Sequence, residues 1–347
     1  MNLEQGRSAL TVVHDEPFNA EAPPEAFETF ITPTPLHFVR NNFALPVHDG
    51  RLAVGGAVEN PLTLTLDDLR GMPREELVVT LECAGNARLG QTPLPAGEPW
   101  RGNAVSTARW AGASLHKVLD DARPLTDGVA VSFEGADHGP HNQHEDICFA
   151  RSLPLDLALD PTAEILIAHE MNGEPLNADH GAPFRLIVPR WYAVASVKWL
   201  ARINVLTKLF EGTFQTDRYI YHWNDREAEP VTLMLPRAKI ATPSSGATLS
   251  AGSYTVRGKA WSGSGPITKV DVSLNGKSEW RTAKVEPPAG PYHWQDWSFI
   301  WHLHKVGRHT LRARATDAAG NTQPESPRWN RLGYGNNAVQ LVYVHVR

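Results

Sequence analysis

The run Thr80-Leu81-Glu82-Cys83-Ala84-Gly85-Asn86-Ala87-Arg88 places a cysteine at the end of an apolar stretch and five residues ahead of an arginine. Leu77 to Leu81 is short, apolar and partly β-branched, the pattern of a buried strand. Ala84-Gly85-Asn86 breaks that strand and lets the backbone come close to a bulky group. A thiol at that point is presented to a pocket. Positive charge from Arg88 favours the thiolate, which acts as a nucleophile or a soft metal ligand. The alternative from this segment alone is a small buried hydrophobe.

A second cluster is Asp137-His138-Gly139-Pro140-His141-Asn142-Gln143-His144-Glu145-Asp146. Three histidines at three-residue spacing beside carboxylates could ligate zinc and serve a hydrolase. Gly139-Pro140 disfavours the regular helix that would align them, and a polar loop near a pocket is the competing reading.

The elements around these residues are mixed. Residues 1–36 are rich in Pro, Glu and Ala and read as an irregular arm. Thr65-Leu66-Asp67-Asp68 reads as a capped helix start. Leu115, Val118, Leu119 and Ala122 fall at i, i+3, i+4 and i+7, the apolar stripe of an amphipathic helix. Strands are predicted at Val129–Phe133, Ile165–Ala168 and Phe184–Val188, so residues 37–229 form an α+β domain. The texture changes after Glu229. Residues 230–246 read as a linker, and residues 241–347 alternate like short strands. Asn275-Gly276 is a hairpin signal. About seven such strands predict an all-β immunoglobulin-like sandwich.

Composition narrows the function. The chain has 347 residues and a net charge of −5, which offers no nucleic-acid footprint, and no apolar run approaches the ~20 residues of a membrane span. Any attraction for an anion must therefore be local. No basic segment followed by an apolar one occurs between Met1 and Glu21, so a cytoplasmic location is expected, or a periplasmic one if an export signal has been removed. The two cysteines, Cys83 and Cys148, exclude a disulfide framework. Neither a haem-attachment motif nor an iron–sulfur cysteine set occurs in the sequence, and a redox enzyme built on it would carry a single centre.

From Phe38 to Val205 the sequence resembles the sulfite oxidase family of molybdenum-cofactor enzymes. The resemblance rests on Phe38-Val39-Arg40-Asn41-Asn42, Cys83-Ala84-Gly85-Asn86, Ser106 to Gly112, Glu170 to Glu174, Asp179 to Pro183, and Ser196 to Leu200, in the family's order. It implies molybdenum held by Cys83 and by the dithiolene of molybdopterin, oxidation of sulfite or a similar small oxyanion by oxygen-atom transfer, and electron delivery to an external acceptor such as a c-type cytochrome. It also implies that the C-terminal domain dimerises. Alternatives within the same cofactor class are nitrate, sulfane sulfur and sulfoxide.

Residue by residue, the resemblance puts Arg40 and Arg88 in the oxyanion pocket, where a guanidinium offers a rigid fork of donors. Trp100 becomes a pocket wall and Tyr219 a hydroxyl near the substrate, with Tyr221 the alternative if the register slips by two. Phe38, Val39, Arg40, Asn41, Asn42, Asp137, His180, Arg185, Ser196, Val197 and Lys198 take the cofactor. Among these, Arg185 and Lys198 supply charge to its phosphate, and Asp137 accepts from the pterin. His180 also reads as a structural turn residue. The family's C-terminal segment carries an arginine that reaches the pocket. Here Trp329-Asn330-Arg331-Leu332-Gly333 places it one position early, so either Arg331 reaches in from a shifted backbone or that charge is missing.

Overall fold

The computed structural model describes residues 7–142, 144–223, 227–276 and 279–347. The first domain holds two five-stranded sheets. One runs in the order Glu174–Pro175, Leu166–Met171, Val105–Ser114, Glu75–Glu82, with Arg185–Ile187 also paired to Leu166–Met171. The other runs Leu62–Thr65, Arg51–Gly56, Leu200–Leu206, Ala130–His141, His144–Pro154. Only Arg51–Gly56 against Leu200–Leu206 is a parallel pair in this second sheet.

Local chemistry explains the helices. Thr65 and Asp68 form a reciprocal capping box at the start of Leu66–Gly71, satisfying two backbone donors that a helix end otherwise leaves open. In Leu115–Ala122 the four stripe residues are all buried. No helix among the described residues is long and apolar enough to cross a membrane.

Two boundaries differ from expectation. The segment before residue 37 is not irregular throughout. Thr11–His14 and Asn19–Glu21 form a hairpin, and Ala20 bridges to Val39. Its prolines prevent long elements, but Ala20, Ala22, Ala26 and Phe27 anchor it to the core. Glu21 accepts the backbone N–H groups of Arg101, Gly102 and Asn103 at 2.8 to 2.9 Å. The expected linker over 230–246 contains the strand Arg237–Thr242. Pro236 and Pro243 bracket it, where they cost no ladder hydrogen bond.

The second domain is a sandwich of a four-stranded and a five-stranded sheet. Its own core includes Val256, Val270, Val272, Trp297, Trp301 and Leu311. Trp261, Tyr292, Trp294, Leu332 and Tyr334 belong instead to the core of the first domain. The two domains therefore share one apolar interior directly behind Cys83.

Candidate active site

Cys83 follows the strand Glu75–Glu82, whose last residue pairs with Val105. The ladder continues one step further, with the Cys83 N–H donating to Ala104 at 2.9 Å, and then the chain turns as Asn86 donates to the Cys83 carbonyl at 2.9 Å. The thiol is almost wholly buried. Burial pushes it up, while Arg40, the Gly85 N–H and Arg88 pull it back toward the thiolate. Burial outweighs these opposing charges, and the net shift of the thiol is upward.

Two glycines let Arg88 fold back beside this turn. A Cβ at Gly85 would sit 2.5 Å from the guanidinium, and one at Gly97 would sit 3.0 Å from it. Arg88 then donates to the Glu98 carbonyl at 2.7 Å and to the Leu332 carbonyl of the second domain at 3.1 Å.

Two cavities meet at Cys83, Arg40, Asn42 and Tyr219. The first is lined by Phe38, Val39, Arg40, Asn41, Asn42, Cys83, Asp137, His180, Arg185, Ser196, Lys198 and Tyr219, together with His37 and Asp179. Asp137 is turned into it where the ladder between Ala130–His141 and His144–Pro154 loses register, between Glu134 and His138. Such bulges re-aim side chains. Burial raises the Asp137 carboxyl and lowers the Lys198 amine. Lys198 donates to Asn41 Oδ1 and to the Asp179 carbonyl, and Asp179 is in turn held by Arg7 at 2.9 and 2.5 Å. Arg185 donates to the carbonyls of His180 and Ser196, at 3.1 and 2.8 Å, with its guanidinium carbon 5.0 Å from the centre of the Trp110 ring.

Val197 departs from expectation. Its side chain is buried in the core rather than lining the cavity, while Ser196, Lys198 and Trp199 around it line that cavity. The residues missed were His37 and Asp179. Each adjoins a residue already singled out, Phe38 and His180, and that adjacency was the available signal. His37 and His180 meet edge to face at 5.0 Å. Burial holds His37 at about 3 and His180 well below the usual imidazole range, so both are neutral donors and acceptors.

The second cavity is lined by Arg40, Asn42, Cys83, Arg88, Trp100 and Tyr219, and also by Glu98, His141, Phe214, Arg218 and Tyr334. Tyr219 has a left-handed backbone, φ 54°, held by a 2.8 Å hydrogen bond from Val231 N–H to its carbonyl. Its hydroxyl donates to Asn42 Oδ1 at 3.3 Å and its ring stacks on Tyr334 at 5.0 Å. Tyr221 lines neither cavity and packs under Gly335, so the geometry separates the two tyrosines. Arg331 does not line the cavities either. It is exposed, with its guanidinium 3.1 Å from His222 Nε2.

The three histidines of the zinc reading are not gathered. His138 contacts Asp146 at 2.7 Å on the surface, His141 turns to Arg218 at 3.2 Å, and His144 is exposed. Among the described residues no three His, Cys, Asp or Glu side chains are placed to hold a metal. The segment is a β-hairpin, in which His138 and His141 share a strand while His144 pairs from the other.

Comparison with known proteins agrees with this geometry. Residues 42–214 match the oxidoreductase molybdopterin binding domain, and residues 231–347 match the Mo-co oxidoreductase dimerisation domain. Mitochondrial sulfite oxidase of Homo sapiens is 40% identical over 97% of this chain, and sulfite oxidase of Gallus gallus is 36% identical over 93% of this chain and 75% of its own length. The chain belongs to the sulfite oxidase family of molybdenum-cofactor oxidoreductases. It spans 66% of the length of the human relative. A nitrate reductase of Betula pendula is 34% identical over 99% of this chain and 42% of its own length. The crystal structure of the sulfane dehydrogenase SoxCD from Paracoccus pantotrophus superposes with a TM-score of 0.84 at 27% identity, over 99% of this chain and 90% of that one.

The family's cofactor is molybdopterin-bound molybdenum, and the first cavity fits it. Asp137 Oδ1, His37 Nε2 and Arg185 Nε are buried there with no hydrogen-bond partner among the described residues. Buried polar atoms of this kind need hydrogen bonds. A pterin supplies complementary ring donors and acceptors, and its phosphate suits Arg185 and Lys198. The Cys83 sulfur stands where this cavity opens into the second, as a soft ligand to the metal must.

Proposed function

We propose that this sulfite oxidase family member oxidises sulfite to sulfate and passes the electrons to an external acceptor such as a c-type cytochrome. The observation that carries the reading is the junction at Cys83. A cavity complementary to a pterin ends there, and a cavity walled by guanidinium groups begins there. In this reading Cys83, as the thiolate, is the protein ligand to molybdenum. When bound, the molybdenum cofactor supplies an oxygen-atom acceptor and donor that stores two electrons.

The chain's own residues then prepare the substrate. Arg40 and Arg88 hold an oxyanion by charge-assisted hydrogen bonds, which orients its sulfur toward the Cys83 side. Trp100, fully buried on the cavity wall, excludes water and strengthens those interactions. The Tyr219 hydroxyl, tethered to Asn42, adds a neutral donor at the boundary between the cavities. Asn41, Asn42 and Lys198 form one polar strip along the cofactor side. The second domain, in this reading an immunoglobulin-like module, pairs two chains into a homodimer.

Oxidation of sulfane sulfur is the second reading. It is favoured by Arg331 lying outside the pocket together with the likeness to a sulfane dehydrogenase. Metal analysis combined with an activity screen tests both. Sulfite and a persulfide substrate are assayed with ferricyanide, and nitrate and sulfoxides with reduced viologen. Sulfite turnover by molybdenum-loaded protein is expected. Turnover of another substrate without sulfite turnover overturns the first reading, and zinc in place of molybdenum overturns both.

A further inference from the structure

Arg218 lies in the second cavity, and no sequence motif claims it. Arg218 and Tyr219 form a bend between the short helix Thr213–Thr216 and the strand Ile220–Tyr221, with a left-handed backbone at Tyr219. Arg218 and Tyr219 line the same cavity. The Arg218 Nε–H donates to His141 Nε2 at 3.2 Å. Burial and the neighbouring Arg218 hold His141 below its usual range, which leaves its ring nitrogen free to accept.

That bond fixes the guanidinium plane through Nε alone. Among the described residues no carboxylate pairs with Arg218, and none of its remaining donors has a protein acceptor. Arg40 and Arg88 are likewise without a carboxylate partner there, bonding to side-chain amides and backbone carbonyls. Glu98 is the one carboxylate on the cavity wall among the described residues, and its side chain is already 3.6 Å from His14. The lining thus carries three guanidinium charges against one carboxylate. The remaining arginine considered for this pocket, Arg331, faces His222 instead.

We propose that Arg218 is a specificity-determining residue that makes this cavity select doubly charged oxyanions over singly charged ones. The assignment of the cavity as the substrate pocket rests on the proposed function. The physical argument is Coulombic, because the attraction scales with ligand charge. A dianion such as sulfite or sulfate gains twice what a monoanion such as nitrate gains from the same third cation.

The test is calorimetric titration of sulfate and of nitrate into the oxidised, molybdenum-loaded protein, alongside the sulfite KM. A half-exposed charge-assisted hydrogen bond supports about a 10-fold loss of sulfate affinity in Arg218→Gln. The corresponding nitrate loss is about 3-fold, the square root of that factor. The sulfite KM should rise in parallel with the sulfate dissociation constant while kcat stays within about twofold. Arg218→Lys keeps the charge and should retain most of the sulfate-over-nitrate preference. Arg331→Gln should change neither anion.

Equal losses for sulfate and nitrate in Arg218→Gln, no loss for either, or an equal loss in Arg331→Gln overturns the assignment. So does the absence of saturable sulfate binding in the unaltered protein. The selective sulfate loss without any sulfite turnover would leave Arg218 in place and remove sulfite as the substrate. Normal sulfite turnover with unchanged sulfate affinity in Arg218→Gln would do the reverse.

Discussion

The cavity complementary to the pterin and the cavity walled by arginines share four residues and differ in construction. The first draws on the first domain alone. Its long side chains are fixed by carbonyls of that domain, Arg185 to His180 and Ser196, and Lys198 to Asp179. The second is finished by the other domain. Tyr334 stacks on Tyr219, the Leu332 carbonyl takes Arg88, and Gly335 N–H donates to the Ala84 carbonyl at 2.8 Å. A cofactor seat made of one domain can stay constant while the pocket beside it changes with every shift of the neighbour.

The sharpest way to break this comparison is at the shared residue. Cys83→Ser replaces the sulfur proposed as the metal's ligand with a hard oxygen, and turnover should fall to background. X-ray absorption at molybdenum should show one fewer sulfur neighbour than in the unaltered protein, and full activity would remove Cys83 from both cavities' chemistry. Cys148, exposed on the hairpin, is the matched control, and Cys148→Ser should leave rates unchanged.

Next in size is the domain contact behind the thiol. Glu82 and Arg237 are both nearly fully buried, 3.3 Å apart, and Glu82 also accepts from Trp261 Nε1 and Asn86 Nδ2 at 2.8 Å each. Arg237→Met strands that carboxylate and should cost about 3–5 kcal/mol of stability, read as a lowered urea midpoint. Unchanged stability would mean that the two domains do not depend on each other at this point.

Smaller effects belong to the arginine cavity. Loss of one charge-assisted hydrogen bond, worth roughly 1.5–3 kcal/mol, should lower kcat/KM about 10- to 150-fold in Arg40→Gln or Arg88→Gln. Molybdenum content measured in each variant separates a pocket defect from an empty cofactor seat. Unchanged kcat/KM in both fully loaded variants would place the anion elsewhere. Tyr219→Phe removes one neutral donor and should cost about 1 kcal/mol or less, a fall of about 5-fold at most, measured in the same assay. A fall larger than either arginine's would make the tyrosine the main anion contact.

The difference between the cavities also governed how much was readable from residues alone. The cofactor cavity follows short motifs, so Phe38 to Asn42, Cys83, His180 and Lys198 all fall within it. Val197 packs into the core although Ser196, Lys198 and Trp199 around it line the cavity, a distinction that the motif Ser196 to Leu200 does not carry. The arginine cavity depends on contacts between segments more than a hundred residues apart, such as Tyr219 with Tyr334 and Arg88 with Leu332. The one-position displacement of Arg331 was visible in Trp329 to Gly333, but which of its two outcomes holds depends on a distant partner, His222. His141 and Arg218 were visible as residue types, but their meeting, 77 positions apart in sequence, was not. The sandwich was legible from alternation and turn residues. Its first strand was hidden because Pro236 and Pro243 bracket it like a linker.

The ion pair joining Glu82 to Arg237 also bears on how such a protein can be rebuilt. Exchanging its C-terminal half for that of a relative would be a natural shortcut to a new substrate preference. The exchange would import a foreign neighbour beneath the residue adjacent to Cys83, leaving a carboxylate in an apolar wall unless its cation and the indole beside it came along. A workable crossover therefore runs through the shared interior rather than the chain's apparent seam. It must carry residues 82, 86, 237 and 261 as a single inheritance.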